Sequence, residues 1–183
     1  MTFDAFLALA LFAFVSSATP GPNNLMLMAS GANFGFRRTV PHMLGISVGF
    51  MVLMMGAGIG LVQSFDLFPV VYTVLLIASV SYLLWLAWRI ANAAPIEAQG
   101  AQGVPMTFLQ AAAFQWVNPK AWTMALTAIT VHVADGGVVL LALAAAIFAC
   151  VNLPSVSAWT VMGQQMARVL TNPARLRAFN WTM

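Results

Sequence analysis

The chain has 183 residues, 62% of them hydrophobic and only 6% charged, whereas a soluble domain carries about a quarter charged residues. That composition excludes an ordinary water-soluble enzyme and points to a membrane protein. The formal net charge of +3 is explained by sorting across a membrane rather than by nucleic acid, as the order of the charges shows.

In chain order, five uncharged runs follow one another at residues 5–36, 39–65, 67–88, 98–119 and 136–167. Each can hold the roughly 20 apolar residues needed to cross a hydrocarbon core of about 30 Å. The sequence therefore predicts an all-α, polytopic membrane helix bundle with five transmembrane spans near residues 5–31, 40–62, 67–88, 106–131 and 138–159. A cleaved signal peptide is the alternative for the first run, where "FLALALFAFVSSA" has the length of an apolar h-region. It would need a positive flank, and residues 1–6 carry only Asp4.

Arg37 and Arg38 follow the first predicted span, Arg89 the third, and Arg168, Arg175 and Arg177 the fifth. Asp4, Asp66 and Asp135 fall on the other side, which holds no Lys or Arg. The positive-inside rule then makes the arginine side cytoplasmic and the N-terminus external.

No soluble domain fits within the chain. The longest polar connection, "RIANAAPIEAQGAQGVP", is too short to build a core. Residues 91–105 read as a cytoplasmic linker between a three-span first half, 1–90, and a second half, 106–183, of one transporter domain. Each half opens with a span interrupted by proline, "TPGPNN" in the first and "VNPKAW" in the fourth. With an odd number of spans before the linker, the second half is inverted, the arrangement of inverted-repeat transporters.

Pro20 and Pro22 lack backbone N–H groups, so the carbonyls of Ser16 and Ala18 lose their helical donors, and Thr19 and Gly21 are pushed out of the α region. In hydrocarbon such a break is tolerated only where it is packed in protein or lines a polar cavity. Asn23 and Asn24 can supply donors to the freed carbonyls. A second half-helix is expected to start with Gly21 as N-cap and Pro22 at its first position, and span four repeats the device with Asn118 and Pro119. Both starts fall near mid-membrane and present helix N-termini, which attract anions.

Lys120 adds a full positive charge at the second helical position, where it opposes the helix dipole. Asp4, Asp66, Glu97 and Asp135 all lie at predicted membrane edges or in loops, so no interior carboxylate pairs with it. An ionisable residue inside the membrane is a functional candidate by default. The alternative is that Lys120 snorkels to a surface, or bonds carbonyls exposed by the break in a neighbouring helix. On the functional reading, the carboxylate of an amino acid meets Lys120 and the helix starts, while its ammonium meets carbonyls left free around Ser16 and Ala18.

These segments carry a resemblance. "TPGPNN", "SYLLWLAWR", "FQWVNPKAW" and "FACVNLPSVSAWTVMG" occur in the order seen in the lysine exporter (LysE/RhtB) family of bacterial amino-acid exporters, which nearly the whole chain resembles. The resemblance implies efflux of amino acids or close derivatives across the bacterial inner membrane, driven by an ion gradient, with six spans and often as a homo-oligomer. Only residues 178–183 follow Arg177, so the sixth span that the resemblance implies is expected to be absent here, with "FNWTM" at most its beginning, as in a gene fragment. The candidate substrate-binding residues are Thr19, Pro20, Gly21, Pro22, Asn23, Asn24, Asn118, Pro119, Lys120 and Asn152, the last because it precedes Pro154, which is expected to bend span five. The expected partners are an amino-acid substrate, a coupling ion (a proton, with Lys120 as its carrier) and the lipid bilayer. No cofactor is expected.

Other features read as structural. His42 and His132 are expected to be hydrogen-bonding residues near span ends. Met26, Met28, Met51, Met54 and Met55 fill apolar gaps, and without a Cys or His cluster a metal is not expected. Gly45 with Gly49, and Gly56 with Gly60, should let span two approach a neighbour closely. Trp85 and Trp88 read as interfacial anchors. Cys150, the lone cysteine, reads as a small packing residue, which leaves a thiol-redox membrane protein without its paired thiol. A non-transporting membrane subunit or inactive fragment is the remaining alternative.

Overall fold

The computed structural model describes residues 2–61, 104–133 and 137–169, together with Val70, Ile77, Ser81, Leu84 and Trp88. Most of the described residues are helical, and none of them is in a strand. They form α1 (Phe3–Ala18), α2 (Pro22–Gly56), α3 (Phe108–Phe114), α4 (Pro119–Ala128) and α5 (Gly137–Val169). A π-helical turn, Ala57–Leu61, ends α2, a 3-10 turn, Gln115–Val117, joins α3 to α4, and a second π-helical turn, Ile129–Val133, ends α4. Among the described residues, two stretches are long and apolar enough to cross a membrane, Pro22–Gly60 and Gly137–Ala167. Most of the third predicted span, the greater part of the 91–105 linker and residues 170–183 lie outside the described residues; Val70, Ile77, Ser81, Leu84 and Trp88 are exposed and helical.

The connection expected between spans one and two is tighter than the charges suggest. Arg37 and Arg38 are themselves helical, and the reversal falls on Gly35 alone, at φ 76° and ψ 169°. That region of backbone space belongs almost entirely to glycine. In a straight helix Ser30 and Thr39 would lie about 13 Å apart, yet their hydroxyls are 2.9 Å apart. α2 is therefore a helical hairpin. Thr39 Oγ1 also donates to the Gly35 carbonyl at 2.9 Å, and Gln164 Oε1 of α5 accepts the Phe36 N–H at 3.0 Å. Substituting Gly35→Ala should cost about 1–3 kcal/mol in strained backbone, read as a lowered midpoint of unfolding in detergent.

Small residues draw the helices together, the usual device where lipid removes the hydrophobic drive between helices. A Cβ at Gly31 would fall on the Thr160 carbonyl, and one at Gly163 on the Met28 carbonyl, so the first arm of α2 crosses α5 backbone to backbone. Gly45 and Gly49 do the same against Phe108 and Ala112 of α3. Gly60 has φ 145°, and among the described residues a Cβ there meets nothing within 4 Å. α4 turns Ala121, Ala125 and Ala128 into a core shared with Leu9, Phe50 and Phe148.

Two side chains differ from expectation. His42 is fully buried in α2, and neither ring nitrogen has the expected hydrogen-bond partner among the described residues. Cys150 is exposed on α5 rather than packed. Pro154 sits inside α5, which spans 33 residues. Met26, Met28 and Met54 are buried, and Met43 Sδ accepts the Thr160 hydroxyl at 3.3 Å.

Candidate functional site

The proline chemistry of "TPGPNN" stops one helix and starts the next within three residues. α1 ends at Ala18, Thr19 is extended at φ −65° and ψ 146°, and Gly21 is the N-cap of α2 with Pro22 at its first turn. The second break has the same grammar. Asn118 is the N-cap of α4, its Oδ1 accepting the Lys120 N–H at 3.1 Å, and Pro119 opens the helix.

The carbonyls freed by the prolines do not wait for a ligand, which corrects the expectation that those of Ser16 and Ala18 are open. The Ser16 carbonyl accepts Thr19 Oγ1 at 3.0 Å, and the Ala18 carbonyl accepts Trp159 Nε1 of α5 at 3.2 Å. Asn24 Nδ2 donates to the carbonyls of Ser17 and Thr19, both at 2.8 Å, and Ser155 Oγ of α5 donates to the Ser17 carbonyl at 2.9 Å. At the second break, the Gln115 carbonyl, which loses its donor to Pro119, takes the Asn118 N–H at 3.3 Å. Trp122 Nε1 donates to the Trp116 carbonyl at 2.8 Å. The freed backbone groups are thus paired across four helices, as non-helical backbone at membrane depth demands.

Two links tie the breaks to each other. Asn23 and Gln115 exchange amide hydrogen bonds at 2.8 and 3.1 Å. Lys120 Nζ reaches the first break and donates to the Thr19 carbonyl at 2.7 Å, to Thr19 Oγ1 at 3.0 Å and to the Pro20 carbonyl at 3.3 Å. The half-buried ammonium therefore bonds break carbonyls of a neighbouring helix, the alternative the sequence leaves open, rather than standing unpartnered. All its acceptors are neutral. The single acidic residue among the described ones, Asp4, lies in the first turn of α1, about 22 Å of helix away from Thr19.

Between the breaks lies a cavity of about 30 Å³, room for one or two waters. Its polar lining is Ser16, Ser17, Asn23, Asn24, Gln115, Asn118, Lys120 and Asn152, with Phe50, Ala121 and Met124 as its apolar wall and Gly21 at its edge. Of the sequence candidates, Gly21, Asn23, Asn24, Asn118, Lys120 and Asn152 meet here. Thr19, Pro20, Pro22 and Pro119 shape the backbone around them and do not line the cavity. The sequence reading missed Gln115, fully buried, whose signal was an amide three residues before Asn118 in an apolar run. It also missed Ser17, whose buried hydroxyl has no partner among the described residues.

Such an arrangement offers a polar solute amide and hydroxyl groups, a cation and two helix N-termini. No solved structure matches the chain. Among curated proteins, it is similar to the cysteine/O-acetylserine efflux proteins of Escherichia coli strain K12, Shigella flexneri serotype 5b and Escherichia coli O1:K1, each 35% identical over 126 residues. The match covers 67% of this chain and 62% of each relative, so the chain spans less than two thirds of their length. The family model of the LysE type translocator matches residues 14–183. Two facing helix breaks, an apolar helical frame and that match together place the chain in the LysE family of membrane translocators.

Proposed function

We propose that the chain is a secondary transporter that exports a small amino acid or a close derivative from the cytoplasm across the bacterial inner membrane, through the cavity between the two breaks. The observation that carries this reading is the pairing of the breaks through Lys120 and through Asn23 with Gln115. Each supplies a helix N-terminus to one small polar space. The five-span, N-terminus-outside topology and the inverted repeat belong to the same proposal. They are supported by the matching Gly21-Pro22 and Asn118-Pro119 helix starts. The relatives' names favour amino acids with short polar side chains as the first solutes to try. With so little room at the site, the helices have to part for a solute to enter, the motion an alternating-access cycle supplies.

The test is efflux from proteoliposomes loaded with radiolabelled cysteine, O-acetylserine, serine and lysine, under an imposed proton gradient. Gradient-dependent release of at least one of them is expected; release of none removes the proposal. A proton-coupling role for Lys120 makes a further demand. Arginine does not deprotonate in proteins, so Lys120→Arg should fail to move solute uphill, and retained uphill export would assign coupling elsewhere.

A further inference from the structure

We propose that the first helix break is a receptor for a primary ammonium group, filled in the solute-free chain by its own Lys120, and that a solute's amino group replaces this internal occupant. The inference rests on the transport reading and adds to it a rule for which solutes are recognised.

Three oxygens of two consecutive residues, the Thr19 carbonyl, Thr19 Oγ1 and the Pro20 carbonyl, converge on one nitrogen. An –NH3+ group has three donors and no acceptor, so the cradle matches its valence. The prolines make that cradle: extended backbone at Thr19 turns its carbonyl away from the helix, and Pro22 removes the donor that would continue it. Thr19 Oγ1 spends its own proton on the Ser16 carbonyl, which leaves it an acceptor toward the ammonium. Thr19 and Pro20 are both exposed, so the cradle is open to an incoming group.

Lys120 is suited to leave. It brings a full charge to neutral acceptors, with no carboxylate near it among the described residues, and sits on a four-carbon stem at the positive end of α4. A zwitterion whose ammonium takes the cradle presents a carboxylate to the displaced Lys120 and to the N–H groups of two helix starts. Both solute charges are then paired, and the ammonium left behind gains the counter-charge it lacks. Gly21 supplies the space for the resident side chain: a Cβ there would lie 2.6 Å from Lys120 Cδ and 3.0 Å from Nζ. The φ of Gly21 is −176°, extended backbone open to any residue, so clearance for Lys120 is what a side chain at this position would remove.

The experiment is thermal unfolding of the full chain in nanodiscs with methylammonium or tetramethylammonium chloride at equal concentration. The two ions carry the same charge, and only the first has N–H donors. In Lys120→Met the cradle is vacant, and methylammonium at about ten times its dissociation constant should raise the midpoint by about 3 °C or more. Tetramethylammonium should leave it unchanged, and the wild-type chain should respond to neither. Lys120→Ala, which also removes the resident ammonium, should show the same discrimination and carries the test if Lys120→Met does not fold. Equal responses to the two ions, a wild-type response as large as the variants', or no response in folded variants would overturn the receptor.

Exchange with solute is read separately. N-acetylation of whichever amino acid wild-type vesicles release should abolish its release, and continued release overturns the exchange. If the vesicles release nothing while methylammonium still stabilises Lys120→Met, the transport reading falls and the receptor stands.

Discussion

Lys120→Ala is expected to lower amino-acid export at least tenfold while leaving the protein inserted and folded. A hydrogen bond from a charged donor contributes about 1.5–3 kcal/mol, and 1.4 kcal/mol is a factor of ten. Loss of one such contact to a solute carboxylate already reaches the stated effect. The fold should survive because the break does not depend on the ammonium. Asn24 still holds the carbonyls of Ser17 and Thr19, Trp159 that of Ala18 and Ser155 that of Ser17. The check pairs initial efflux rates from proteoliposomes with the elution profile of the purified variant. Export within twofold of wild type would show that Lys120 takes no part in moving solute.

Gly163→Ala is expected to be the most damaging small substitution in the described chain. Its methyl group would fall on the Met28 carbonyl, and a backbone atom cannot rotate aside as a side-chain tip can. Overpacking of this kind costs about 1–3 kcal/mol, and here both helix axes must separate. Gly31→Ala meets the same crossing from the other helix, against the Thr160 carbonyl, and should behave alike. Ala146→Val, at an exposed position on α5, adds more volume and should change little. Reversible unfolding in mixed micelles would rank the variants. Equal stability of Gly163→Ala and Ala146→Val would mean that the α2–α5 crossing is looser than described.

Much of the local geometry was written in the sequence because proline and asparagine act on their own neighbours. The missing N–H groups of Pro20 and Pro22 are enough to end α1, and Gly21 and Asn118 are enough to cap α2 and α4. Asn24 was legible as a donor to the freed carbonyls, but the partners that α5 contributes to the break were not. Trp159 lies 141 residues from the carbonyl it satisfies and Ser155 lies 138 from its own, and which face of α5 turns toward α1 is decided by packing that no local pattern encodes. Gln115 escaped notice for the same reason: an amide in an apolar run announces a partner without naming it. The hairpin in α2 was hidden differently. Arg37 and Arg38 mark the end of a span by charge, but the residue that turns the chain is the one that can adopt positive φ, and "FGF" carries no charge at all.

The length of α5 has one more result. An oily rod among lipid tails has little reason to prefer one depth or one rotation over its neighbours. This one is indexed by polar contacts at Ser155, Trp159 and Gln164, spread over about 14 Å of its length. A slip of a single residue, about 1.5 Å and 100°, would disengage every one of them together, so α5 can keep its setting or lose it whole but has no partial adjustment between.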